Sequence, residues 1–336
     1  MVAASSTPYI LDSSVTSASK AVLLDGESIS YKTDYGVSSV FQASTDVGYM
    51  FDLTGQWSSI SHIVIDGNTT GSDGVHLHNI DQYIERSFVL RCSTYGILLG
   101  GTNHWVQNNW IEWNTIGIGT QDRSYITNNH FVANGQDMSI TSATVRIESN
   151  LFRNPTTRSL NIWGGTTSDL QILGNKFEMS SGSITELITV STGLSYAQIR
   201  NNIIEGDSKA TYFLNIANDS TLVNVAMDNN DFRGVTSALN YGTGITGIVE
   251  CHNNFGYITE NSGTGSIANA TTADVITHGC SYTPAAADIV ITLTENPTTS
   301  PGAIWVDTIG AAEFTVNCEV DPGASNLDFS WAVRKV

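Results

Sequence analysis

Proline and charge are scarce in this chain of 336 residues: it has 6 prolines, and charged residues make up 14%. Long disordered chains are usually rich in both, which excludes disorder as the general state. Hydrophobic residues, at 40%, suffice for a substantial core. Basic residues are scarcer still: 14 Lys and Arg face 32 Asp and Glu, a formal net charge of -18. That balance offers no basic footprint for nucleic acid or for an anionic membrane. No run of about 18 apolar residues is available to cross a bilayer. The opening "MVAASSTPYILDSS" lacks the basic end and apolar centre of a secretory signal, so synthesis and folding in the cytoplasm are expected. The 4 cysteines are too few for a disulfide framework. Cys92 and Cys251 fall at core-like positions and are expected as small buried hydrophobes, while Cys280 and Cys318 flank one segment and are open to pairing. Also missing are the Gly-x-Ser-x-Gly elbow, the P-loop and the dinucleotide fingerprint. No ten-residue window has a convincing 3.6-residue period, so helices should be few.

What the chain does have is a repeated phrase. "VQNNWIEWNTIGIGT" (Val106 to Thr120) is followed after a short interval by "YITNNHFVANG" (Tyr125 to Gly135). Aligning on this phrase gives markers at Asn109, Asn129, Asn150, Asn175, Asn202, Asn230 and Asn254, at spacings of 20 to 28 residues, with Ser87 and Gly67 as earlier members. Two positions after the marker stands an apolar residue: Ile111, Phe131, Phe152, Phe177, Ile204 or Phe232. Ahead of it lies an alternating strand, such as Val145–Ile147, and after it a second strand, such as "SLNIWGG". Short strands at a period in the twenties, separated by turn residues, predict a stacked β solenoid. Asparagine tolerates the left-handed turn and bonds to nearby backbone, so stacked markers predict an internal polar ladder.

On these residues, and on "ISHIVIDGNTTGSDGVHLHN" (Ile60 to Asn79), the chain resembles the right-handed parallel β-helix proteins of the pectate-lyase-like superfamily. The solenoid is expected over 51–258, after an irregular N-terminal cap at 1–50 that is out of register with the repeat. "ENSGTGSIANATTAD" is small and polar and reads as a linker at 259–274. Residues 275–336 alternate between strands and Pro/Gly/Asn turns, which predicts a small antiparallel β-sandwich. This last segment resembles the C-terminal β domains of bacteriophage tailspikes and tail fibres, through His278-Gly279, Pro284, Trp305, Phe314-Thr315-Val316 and Phe329-Ser330-Trp331. Such domains cap the solenoid and commonly hold a homotrimer together, so the resemblance implies a homotrimer located in a virion tail.

Candidate site residues follow from the faces of the repeat. Taking Leu77, Ile97, Ile118, Ile140, Ile162, Ile216 and Tyr241 as inward puts His76, His78, Leu98, Gly117, Ser139, Asn161, Trp163, Asn215 and Asn240 outside, on a face free of acids. Amides, a hydroxyl and an indole suit contact with a sugar ring, and Trp163, Asn161, Asn215, Ser139, His76 and His78 are the expected substrate-binding residues. On another flank Glu178 and Glu205 lie on successive coils, where two carboxyls could approach about 5 Å, as a retaining glycosidase requires; a solvated charge row is the plainer alternative. His76 and His78 share a face, with Asp66 or Asp73 as the candidates to join them, but without a definite third ligand no metal or cofactor is expected. Two functions remain open. One is a tailspike-like or fibre-like protein binding a host cell-surface polysaccharide, with or without depolymerase activity. The other is a secreted polysaccharide hydrolase, lyase or epimerase of the pectate-lyase-like superfamily.

Overall fold

The structure is a computed structural model and describes residues 9–17, 22–25, 39–141, 144–206, 208–247, 249–295 and 297–334. The chain divides into two compact units, Met1–Val249 and Glu250–Val336. The first is the expected solenoid, with one strand of each coil contributing to each of three parallel sheets. Ser124–Thr127 in the third sheet, His130–Val132 in the first and Gln136–Ile140 in the second make up one coil. Each pairs with its counterpart about 20 residues on, for example Phe131 with Phe152 and Ile126 with Ile147.

Stacking repeats every inward position at the interstrand spacing of about 4.8 Å, so each sheet buries a column of like residues. In the first sheet the column runs Phe41, Ile65, Val89, Ile111, Phe131, Phe152, Phe177, Ile204, all buried. The rings of Phe131, Phe152 and Phe177 stack at centroid distances of 4.8 and 4.9 Å. Phe213, from the second sheet, then inserts between Phe177 and Phe232. No membrane-length apolar helix occurs among the described residues.

The asparagine markers form the expected ladder. Asn129 Oδ1 accepts bonds from the backbone N–H and the Nδ2 of Asn109, at 2.9 and 3.0 Å, while Asn129 donates in the same way to Asn150 Oδ1. The pattern passes through Asn175 and Asn202 to Asn230. Each Nδ2 also bonds a carbonyl of the preceding coil, as Asn150 does to Ile126 at 2.8 Å. Ser87 begins the series, its N–H donating to Asn109 Oδ1. Gly67 is not a member; it follows the strand Ile63–Asp66, in the turn leaving the first sheet. The residue before the marker, such as Asn108, Asn128 or Asn201, has φ near +57°, a conformation asparagine accepts more readily than most residues.

Two of the buried titratable groups of this unit, Asp137 and His104, are shifted far from their ordinary range. Asp137 is fully buried on the second sheet and accepts a bond from Asn134 Nδ2 at 3.0 Å; burial pushes its carboxyl up to about 8, against the pull of Asn134 and Ser159. His104, also fully buried, accepts the Gly101 N–H on Nε2, and burial pushes it down to about 4.

Two expectations about boundaries are corrected. The N-terminal strands are in register with the repeat, since Tyr9–Leu11, Val15–Ser17 and Leu23–Asp25 pair in parallel with the next coil. The 259–274 segment is not a linker, because Glu260–Ile267 is a strand paired antiparallel along its whole length with Leu327–Arg334. Its glycines are the reason: a Cβ at Gly263 would stand 2.8 Å from the Trp331 ring, and one at Gly265 2.4 Å from the Phe329 ring. The second unit consists of two three-stranded antiparallel sheets. They share a core of Ile267, Ile276, Phe314, Val316, Phe329 and Trp331. All four cysteines are buried and free, so Cys280 and Cys318 do not pair.

Candidate functional site

Between Asn109 and Asn150 the coils repeat every 20 or 21 residues, and later ones every 24 to 28. The added residues lengthen the second-sheet strands from five residues, as in Gln136–Ile140, to seven in Ile184–Val190, Ala210–Ile216 and Val235–Tyr241. They also build a short extra sheet from Thr166–Ser168, Gly193–Ser195 and Thr221–Val223. The outward face of the second sheet is therefore widest in the later coils.

Two outward rows run along that face. One passes from Ser139 through Asn161, Thr189 and Asn215 to Asn240, each paired with the next. The other carries Gln136, Arg158, Glu186, Tyr212 and Ser237. Ser139, Asn161 and Asn215 thus share one row, as expected, and Trp163 stands at its rim. The indole Nε1 donates to Ser139 Oγ at 2.7 Å, so the ring is fixed in place, yet 45% of the residue remains exposed. Asn240 Nδ2 donates to Asn215 Oδ1 at 2.8 Å, whereas Asn161 Oδ1 makes no hydrogen bond among the described residues.

The face is not free of acids. Glu186, 9% exposed, accepts a bond from Thr189 Oγ1 at 3.1 Å and pairs with Arg158 at 3.2 Å. Alternation along "ITELITV" does not reveal it, because the inward rows break period 2 at this corner. Leu187 and Ile188 are both fully buried, as are Phe213 with Leu214 and Asp137 with Met138. The same slip corrects Gly117, which points inward, where a Cβ would meet Phe131 and Ile111. At the earlier end the face closes over itself, since Tyr95 and Leu98 lie against Gly119.

Glu178 and Glu205 lie on the first sheet, away from this face, and are paired in register. They line an open cleft of about 740 Å³ with Ile203, Asp231 and Arg233. Lys176 Nζ reaches both carboxylates, Glu205 at 2.8 Å and Glu178 at 3.9 Å, and Arg153 meets Glu178 at 3.1 Å. The Arg233 guanidinium, bonded to Asp231, holds that carboxyl below the usual range. Here each acid has a cation at hand, as in the neighbouring pairs Arg146–Glu148 and Arg200–Asp228. A glycosidase acid, which must hold its proton, needs an apolar or acid-rich setting instead.

His76 belongs to the Ser139 row but lies three coils earlier, through Leu98 and Gly119. Its register partner is Asp52, with Oδ1 3.2 Å from His76 Nδ1. His78 stands beside it at a ring centroid distance of 4.6 Å. Burial lowers the His76 pKa below its ordinary value, while Asp52 acts in the opposite direction. Neither Asp66 nor Asp73 joins the pair: Asp66 is buried against Arg91, and Asp73 accepts the Thr94 and Tyr95 N–H groups.

No family model matches the chain, and no curated protein matches it. Solved structures do. The chain is similar in fold to ORF18 of Geobacillus virus E2, with a TM-score of 0.57 and 15% identity over 96% of this chain and 69% of that one. It also matches the Dettilon tailspike protein gp208, with a TM-score of 0.43 and 10% identity over 97% and 86% of the two chains. Tailspike gp49 of Acinetobacter baumannii bacteriophage Fri1, a capsular polysaccharide depolymerase, matches with a TM-score of 0.42 and 9% identity over 96% and 77%.

Proposed function

We propose that this chain is a tailspike-like or tail-fibre-like component of a virion tail that binds a host cell-surface polysaccharide along the outward face of the second sheet. The observation that carries the reading is the fixed, half-exposed Trp163 beside a continuous row of amides and hydroxyls from Ser139 to Asn240. An indole whose N–H is already bonded offers its apolar face to a sugar ring. The amides can bond the ring's hydroxyls, and a rigid sheet loses little conformational entropy on binding. Glu186 and Arg158 add a charged pair on the adjacent row that can sort substituted sugars.

The proposed assembly is a homotrimer held by the second unit. Val275, Val290 and Trp305 stand 56%, 59% and 45% exposed on its strands, and an obligate interface would cover such residues. A second reading, depolymerase activity, has the Glu178/Glu205 cleft as its support. The same cleft is where the superfamily's hydrolase, lyase or epimerase alternative would have to work.

A glycan array combined with a reducing-sugar assay separates these readings. Binding lost in Trp163→Ala and Asn161→Ala, with no sugar released, is the expected result. Sugar release abolished by Glu178→Gln or Glu205→Gln would move the site to the cleft. Unchanged binding in both second-sheet variants would refute the proposal.

A further inference from the structure

We propose that Asp52, His76 and His78 form a binding site for a divalent transition-metal ion, zinc by its ligand chemistry, on the outward face of the early coils. One ligand atom from each residue lies within 4.8 Å of the other two. The site is assembled by register: Asp52 on Tyr49–Leu53 is paired with His76 on Asp73–Leu77, and His78, two residues on, returns to the same face. Asp52 Oδ1 and His76 Nδ1 are 3.2 Å apart, close to the roughly 3.3 Å edge of a tetrahedron with zinc–ligand bonds of about 2.0 Å. Asp52 Oδ1 is itself shielded from solvent. A carboxylate oxygen and a ring nitrogen held this close can share a cation. The remaining ligand needs little cost to close in, because His78 is the exposed member while Asp52 and His76 are half-buried.

The surroundings suit this role. The Tyr49 ring packs on His76 at a centroid distance of 4.6 Å, limiting its movement. Gly100 leaves His76 its space on the other side, since a Cβ there would stand 2.7 Å from Nε2. Two imidazoles and one carboxylate match the nitrogen and oxygen preference of zinc rather than the all-oxygen shell of calcium or magnesium. Three protein ligands leave the fourth position to water or to an incoming oxygen ligand, and the exposed side of the site faces solvent. A bound ion would also tie two successive coils together through side chains.

The test uses the full chain without an affinity tag, treated with chelator and then dialysed against zinc at micromolar concentration, with metal counted by mass spectrometry. One zinc per chain is expected, with a rise in thermal midpoint and, for the cobalt-loaded protein, visible d–d absorption. His78→Ala, at an exposed position, should fold normally and lose stoichiometric zinc, the midpoint rise and the cobalt band. Asp52→Asn and His76→Gln should lose them as well, whereas His130→Ala should retain them. The proposal is overturned if wild type binds no zinc under these conditions, or if His78→Ala retains the full stoichiometry.

Discussion

Replacing Asp137 by Asn tests the interior electrostatics of the solenoid directly. In the folded chain the carboxyl holds its proton up to about 8, whereas its ordinary value is 3.8. Between these pH values the folded state carries one proton more than the unfolded state, so stability falls as pH rises and the loss is complete above about 8. His104 acts in the opposite sense. Its folded value of about 4 lies below the ordinary 6.5, so its contribution is full above 6.5 and is lost as pH falls toward 4. The two effects offset one another through the acidic range, and only from pH 6.5 to 8 does Asp137 act without His104. At 1.36 kcal/mol per pH unit, wild type should lose about 2 kcal/mol over that window through this group. Asparagine keeps the acceptor for Asn134 Nδ2 and has no proton to release. The assay is denaturant unfolding at pH 6.5, 7.2 and 8.0 on both proteins. Wild type should weaken across the series while Asp137→Asn stays level, so that the variant is the more stable protein at pH 8. Parallel lines for the two proteins would refute a protonated carboxyl in the core.

Asn150→Ala would strand the Asn129 backbone N–H and remove one bond each from the Ile126 carbonyl, from Asn129 Nδ2, which keeps the Val106 carbonyl, and from Asn175 Oδ1, which keeps the residue-150 N–H. At about 1–3 kcal/mol for the unsatisfied N–H and about 0.5–1.5 kcal/mol for each further bond lost, a loss of about 2 kcal/mol or more is expected from chemical denaturation; a loss below 1 kcal/mol would mean water replaces the ladder. Phe152→Ala removes the middle ring of the Phe131–Phe177 stack and should cost about 3–5 kcal/mol, read as a lower thermal midpoint. Trp163→Ala should weaken binding to the cognate polysaccharide by about 2 kcal/mol or more, as an interface hot spot does, with the thermal transition nearly unchanged. Sedimentation at micromolar concentration should give three chains per particle, and Trp305→Glu should shift the distribution toward single chains; a wild-type monomer would refute the assembly.

The regular parts of this protein are legible in its sequence because a solenoid repeats one environment. Asn129 and Asn150, or Phe131 and Phe152, meet the same neighbours one coil apart, so spacing alone identifies the ladder and the phenylalanine column. Local chemistry also marks the turns, since asparagine accepts the left-handed backbone that ends each strand. The positions decided by tertiary structure are those whose role depends on a different segment. Glu186 is outward because the pairing of Leu160 with Ile188 sets its register, and two consecutive buried residues at the corner break the alternation that would have indicated it. "ENSGTGSI" carries no strand signal of its own; it becomes a strand because its glycines make room for Phe329 and Trp331 of the partner. Asp52 meets His76 and His78 only because coils one turn apart stack in register. Sequence therefore fixed the period and the residues that repeat with it. Register between coils decided which non-repeating side chains face one another, because it depends on how whole strands pair and pack.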